Sequence, residues 1–226
     1  MKKLSVFLVL VVVFFQSGCK YGGIVSILGT PGYHEIEVPA EYNLTEHTDQ
    51  KILVLVDQPG WLGARANLRY YLTRAIRKNL MEKVEISSDY LVSYSELFEF
   101  RSNKDDFSLF SPVQVGEALD ANMVLLVVIE DYQLEKMAET SYYKGFLSTR
   151  AVLLDVASGE KLWPKSARSR SIKVGFEVEG RGREVAVARL VAACTHCTTR
   201  YLYNCRKNKF KISEDRSRVG WESWKK

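Results

Sequence analysis

Four side chains with soft metal-ligating atoms lie close together near the C-terminus: Cys194, His196, Cys197 and Cys205. Tetrahedral zinc accepts such a set, and Cys194 with Cys197 has the C-x-x-C spacing of a dithiol redox pair. The same stretch is also helical in pattern. Val187, Val191, Cys194, Thr198, Tyr201 and Cys205 recur at steps of three and four on one face, where buried cysteines behave as small hydrophobes. Along one unbroken helix, residues 194 and 205 stand about 16 Å apart, too far for one metal or one disulfide. Core packing is the expected role, with a Cys194–Cys197 pair or a metal site as open alternatives. His196 precedes Cys197 instead of following it, which excludes c-type haem attachment. Asp57, Glu130, Asp131 and Asp155 stand in or at the ends of apolar runs. Paired carboxylates can run acid–base chemistry, but no Ser or Cys nucleophile motif accompanies these. No catalytic residue and no cofactor are assigned, and a non-enzymatic role is expected.

A different cysteine carries the most specific signal. Lys2 and Lys3 precede an apolar run, Leu4–Phe15, in which only Ser5 is polar. Twelve residues at helical rise cover about 18 Å, well short of the roughly 30 Å hydrocarbon core. The run therefore reads as the h-region of an export signal. Gln16-Ser17-Gly18-Cys19 resembles the bacterial lipoprotein box, in which the cysteine is diacylated through its thiol and becomes the new N-terminus. Acyl chains on Cys19 would hold the chain to a membrane, each buried methylene adding about 0.8 kcal/mol. Lys20 occupies the place where an inner-membrane retention aspartate would sit, so the outer membrane, facing the periplasm, is the expected address.

The chain has 226 residues, 46% apolar and 26% charged, enough for one sizeable core and too short for two large domains. That apolar fraction excludes disorder as the main state, and a single apolar run at the N-terminus excludes a polytopic membrane protein. Charge is unevenly spread. Residues 20–164 carry 14 basic and 21 acidic groups, a net of −7, whereas residues 165–226 carry 16 basic and 6 acidic groups, a net of +10. Behind an export signal the available polyanions are lipid head groups and acidic envelope proteins, not nucleic acid. Two basic surfaces are candidates for interaction. One is the stripe Arg65, Arg69, Arg74, Arg77 and Lys78; the other is the C-terminal tail with Trp221 and Trp224. Either is equally readable as a solvated face.

The elements that must position these residues follow from periodicity. Gly- and Pro-rich residues 20–50, with His34 and His47, read as a tether with one short strand near Glu35–Val38. Lys51–Asp57 is a β-branched run typical of a strand buried on both faces. Apolar positions from Gly63 to Lys83 recur at helical spacing, with Asn79 the one polar intruder. Val84–Ser87 is expected as a strand and Leu91–Phe98 as a helix. Ser111-Pro112-Val113-Gln114 is a helix start with a capping box. Met123–Leu134, Phe146–Val156, Glu160–Pro164 and Ile172–Val178 read as strands, the middle pair joined by a turn at Gly159. A long helix is expected over Arg183–Asn204. Trp61 and Trp163 are expected as packing or interface anchors.

Three stretches together resemble the group of bacterial envelope proteins that includes the TolB N-terminal domain, CsgG and LpoB. They are Lys51–Asp57 followed by its helix, Ala118–Leu125 leading into a strand, and Leu153–Trp163 with its Asp, Gly and aromatic. The resemblance spans residues 50–205. It implies an envelope lipoprotein that works through protein contacts. Residues and resemblance together give an α/β (α+β) fold, a mixed sheet packed with two to three helices. A signal peptide (1–18) and a lipid-anchored tether (19–50) precede the domain (51–205), and a basic, aromatic tail (206–226) follows it. The expected partners are the membrane and an envelope protein. The alternatives are a CsgG-like oligomeric pore component and a thiol-redox or metal protein built on the C-terminal cysteines.

Overall fold

A computed structural model describes residues 37–63, 66–137, 142–178 and 182–206. The expectations at Cys19, His34, Arg65, Trp221 and Trp224 lie outside the described residues. The compact unit begins at Glu37.

Its centre is a mixed sheet. Strand β2 (Ile52–Asp57) runs parallel to β3 (Met123–Lys136), with Ile52 level with Met123 and Asp57 level with Val128. Strand β4 (Tyr143–Asp155) returns antiparallel to β3. The far side of β4 is shared by the short β5 (Lys161–Trp163) and by β6 (Arg170–Val178). The strand order matches the reading of a mixed sheet. Gly159, with φ +70°, makes the turn between β4 and β5 that only glycine adopts without strain.

Helices cover both faces. On one face pack α1 (Leu68–Lys83) and α4 (Arg183–Thr199), closing a core that includes Ile52, Val54, Leu72, Ile76, Leu125, Leu147, Leu190 and Cys194. On the other, α2 (Tyr94–Ser102) and α3 (Pro112–Ala118) cover the β2–β3 side over Leu53, Leu55, Leu97, Val115 and Val124. Gly60–Gly63 forms one further helical turn, so the described residues hold five α-helical segments where two to three helices were expected. Both short helices start as their sequences dictate. Ser93 with Glu96, and Ser111 with Gln114, form reciprocal capping boxes that satisfy the first amides.

Four sequence expectations are corrected. Residues 37–50 are not tether. Strand β1 (Glu37–Val38) pairs with β7 (Cys205–Arg206), and the Leu44 side chain is fully buried while its N–H donates to Leu202 O at 2.9 Å. Val84–Ser87 is not a strand, although Val84 and Ile86 both face the core. The place beside β2 is taken by Leu91, bridged to Ile52, and by the Val92 N–H, which donates to Ile52 O at 3.0 Å. The helix expected from Leu91 starts instead after the Ser93 cap. The long helix stops at Thr199, not Asn204. There the Thr198 hydroxyl donates to Cys194 O, and the Leu202 N–H turns back to Thr199 O at 2.8 Å. Asn79, the polar intruder in α1, has its partner at that same end: Thr199 Oγ1 lies 2.8 Å from Asn79 Oδ1.

Strand β3 also departs from simple alternation. Its register with β4 skips Glu130, so Ile129 and Tyr132 both point into the core, the mark of a bulge.

Candidate functional site

The chemistry suggested by the sequence disperses once it is folded. Asp155 is level with Met123 and hence with Ile52, while Asp57 sits two strands across and five residues further up the sheet, about 16 Å along the strand direction alone. Glu130, on the bulge, pairs with Arg150 at 2.6 Å and accepts from Ser148 at 3.1 Å. Asp131 accepts from Gln133. Asp155 accepts from both the N–H and the hydroxyl of Ser158, and these bonds to the ionised form hold its carboxyl below the usual aspartate range.

Cys194, Cys197 and Cys205 are all buried thiols. Cys194 Sγ lies 3.4 Å from Thr149 Oγ1 on β4. The predicted stripe Val187, Val191, Cys194, Thr198 and Tyr201 is buried throughout, with Tyr201 and Cys205 beyond the helix end. Among the described residues no group of three or more His, Cys, Asp or Glu side chains is placed to hold a metal ion. His47 stacks on Tyr42 at 5.3 Å between centroids.

The basic stripe of α1 splits in two. Arg69 and Arg77 are half-buried: Arg69 donates to Gln58 O at 3.2 Å and Arg77 to Leu91 O at 3.1 Å. Burial lowers the Arg77 pKa, opposed by Glu96. These two guanidinium groups tie α1 to the loops after β2 and before α2. Arg74 and Lys78 remain exposed, Lys78 in a loose i,i+4 pair with Glu82 at 3.7 Å.

What the sequence reading missed is an aromatic run joining α1 to α2. Tyr71 and Tyr70 meet edge-on at 5.5 Å, Tyr70 and Tyr94 at 5.0 Å, and Tyr94 stacks with Phe98 at 6.1 Å. The outer members are exposed, Tyr71 by 47% and Phe98 by 58%. Arg74 borders this run and donates to the Tyr70 hydroxyl at 3.0 Å. Trp61, 60% exposed, sits on the helical turn that follows β2. The i,i+4 spacings Tyr70–Arg74 and Tyr94–Phe98 were the available signal; which helix faces which was not.

One turn beyond Phe98 lies Arg101. Its guanidinium caps the Phe107 ring at 4.3 Å and borders a cleft of about 400 Å³. Leu55, Phe110, Val115 and Leu126 form apolar walls there, with Asp57 and Arg69 at the polar side. Burial lowers the Arg101 pKa to about 10, helped by the neighbouring Arg69 charge and opposed by Asp57. At the opposite end, Tyr71 lines a second hollow of about 400 Å³ with Asn67, Arg183 and Glu184. A strip of aromatic and arginine side chains thus runs between two concavities. Tyr, Trp, Phe and Arg are the residues enriched at the centres of protein interfaces.

No family model matches the chain, and no curated protein matches it. Solved structures do. Lipoprotein GNA1162 from Neisseria meningitidis is similar at 18% identity and a TM-score of 0.41, covering 64% of this chain and 94% of its own. The LpoB C-terminal domain from Salmonella enterica is similar at 17% identity and a TM-score of 0.35, over 61% and 84%. PelC from Paraburkholderia phytofirmans, crystallised as a dodecamer, is similar at 9% identity and a TM-score of 0.41, over 74% and 97%. Among the described residues no helix is long and apolar enough to cross a membrane.

Proposed function

We propose that this chain is a non-enzymatic envelope protein, anchored by acyl groups on Cys19 and holding a partner protein against the aromatic face of α1 and α2. The observation that carries this reading is the run Tyr71–Tyr70–Tyr94–Phe98 with Arg74 beside it. Large rings half out of water are costly to leave bare, and rigid aromatics with an arginine supply binding area at little entropic cost. Among the described residues the carboxylates flagged by the sequence lie apart and the C-terminal thiols are buried, which supports the non-enzymatic reading. The leader and Gln16-Ser17-Gly18-Cys19 support the anchor and an outer-membrane address facing the periplasm. The basic tail with Trp221 and Trp224 is a second contact, with membrane or partner.

The test is crosslinking and affinity capture of the anchored protein from its own membranes, repeated with Tyr71→Ala plus Phe98→Ala and with residues 207–226 removed. Loss of a defined partner in the first variant, at unchanged fold and membrane level, supports the aromatic face. Capture that survives it refutes that surface. Incorporation of labelled palmitate in the native chain, absent from Cys19→Ala, tests the anchor separately.

A further inference from the structure

The outer edge of the sheet points to a second copy of this chain. Strand β6 pairs with β4 over Arg170–Ala151 to Val178–Tyr143 without a break in register. Among the described residues no strand takes its other side. Sheet edges that stay single are usually short, bulged, interrupted by proline, covered, or lined with charge that repels a second strand. β6 is nine residues long, unbulged and without proline, and its exposed charges, Lys173 and Glu177, are of opposite sign, so they can pair with a second copy as well as guard against one. The opposite edge is guarded, since Leu91 and Val92 lie along the start of β2.

We propose that two β6 strands pair antiparallel through their outer edges about a two-fold axis at Gly175. In that register Lys173 faces Glu177 of the second copy, and Glu177 faces Lys173 of the second copy. Val174 faces Phe176 of the second copy on the side covered by α4. Lys173 and Glu177 point to the same face and are both exposed; within the chain Glu177 stands level with Lys144 and Lys173 with Ser148, and neither makes an ion pair among the described residues. An axis at Lys173 or at Glu177 would instead set like charges opposite each other, which is unfavourable across a strand pair.

Gly175 is compatible with the placement. A Cβ there would meet only Gly145 O and the Phe146 ring, each at an ordinary 3.6 Å, and its φ is not left-handed. Strand spacing across the axis is set by backbone hydrogen bonds and side chains stand out of the sheet plane, so the charges on either side of Gly175, not the glycine, choose the axis. Isologous pairing of this kind closes at two copies.

Charge exchange tests it. The full-length anchored chain in detergent is measured by analytical ultracentrifugation as wild type, Lys173→Glu, Glu177→Lys and the double exchange, with circular dichroism confirming the fold. The wild type is expected as a dimer. Each single exchange puts two like-charged pairs across the seam and raises the dimer dissociation constant about tenfold or more; the double exchange restores it. A monomer at every soluble concentration overturns the proposal. So does an assembly whose mass ignores the single exchanges, or a double exchange no tighter than either single one.

Discussion

The indole Nε1 of Trp163 donates to Glu41 Oε2 at 2.9 Å, linking residues 122 positions apart. Trp163 is fully buried with its ring tilted against Tyr201 at 5.7 Å between centroids, while Arg170 pairs with the other oxygen of Glu41. One carboxylate thereby ties the N-terminal strap to β5 and β6. Glu41→Leu strands a buried indole N–H, and a donor left unsatisfied costs about 1–3 kcal/mol. Glu41→Gln keeps an acceptor and loses only a solvent-screened ion pair, worth under about 1 kcal/mol. Urea unfolding of both variants should give that order. Equal losses would mean the indole does not depend on Glu41.

Leu44→Ala tests whether the strap is part of the fold. Leu44 is fully buried within the main core, and the Glu41 N–H reaches Tyr201 O at 2.9 Å beside it. Truncating a buried leucine costs about 2–5 kcal/mol, whereas truncating a tether residue costs almost nothing. The expected result is a destabilisation in the first range, with the unfolding slope unchanged.

The strap shows what the sequence could and could not convey. Lys51–Asp57, Met123–Ile129 and Ser111–Gln114 were legible because continuous β-branched runs and a capping box are local signals. Leu44 was not, because it is the one aliphatic residue between Glu41-Tyr42-Asn43 and Thr45-Glu46-His47, and its burial depends on Leu202 arriving from the far end. Val84 and Ile86 alternate as a strand would, but the place beside Ile52 is held by Leu91 and Val92, a tertiary pairing with no local signal. The interaction face failed for the same reason. Charge flagged Arg69 and Arg77, which the fold uses to hold carbonyls, while the pairing of Tyr70 with Tyr94 is tertiary.

Acid should expose the role of the turn after β4. The Ser158 hydroxyl and N–H bond the ionised Asp155 carboxylate, so the folded group binds its proton less readily than the ordinary value of 3.8. A depressed folded pKa means the stabilisation is complete above 3.8 and disappears as pH falls through the lower, folded value. Ser158→Ala removes the hydroxyl bond to Asp155 and also the acceptor for the Glu160 N–H, 3.2 Å from Ser158 Oγ, and should cost about 0.5–1 kcal/mol at pH 7 after allowance for solvent screening. In unfolding titrations taken well below the ordinary value that difference should fall to the part owed to the Glu160 bond, which does not depend on Asp155 ionisation. A gap that does not narrow at all in acid would show that the serine acts through Glu160 and not through the carboxylate.

Thiol reactivity separates the three cysteines by where they sit. Cys194 and Cys197 are fully buried on α4, which packs against β4 and α1, so a reagent reaches them only when the core opens. Cys205 is also buried, but on a two-residue strand paired with Glu37–Val38 near the end of the described chain. Short pairings of this kind open locally at far lower free energy than the core. Ellman's reagent should therefore modify Cys205 first, in a phase that Cys205→Ser abolishes. Cys194 and Cys197 should follow at the rate of global unfolding. A redox pair needs an accessible, activated thiolate, so immediate reaction of Cys194 or Cys197 in the native protein would restore the dithiol reading and remove them from the core.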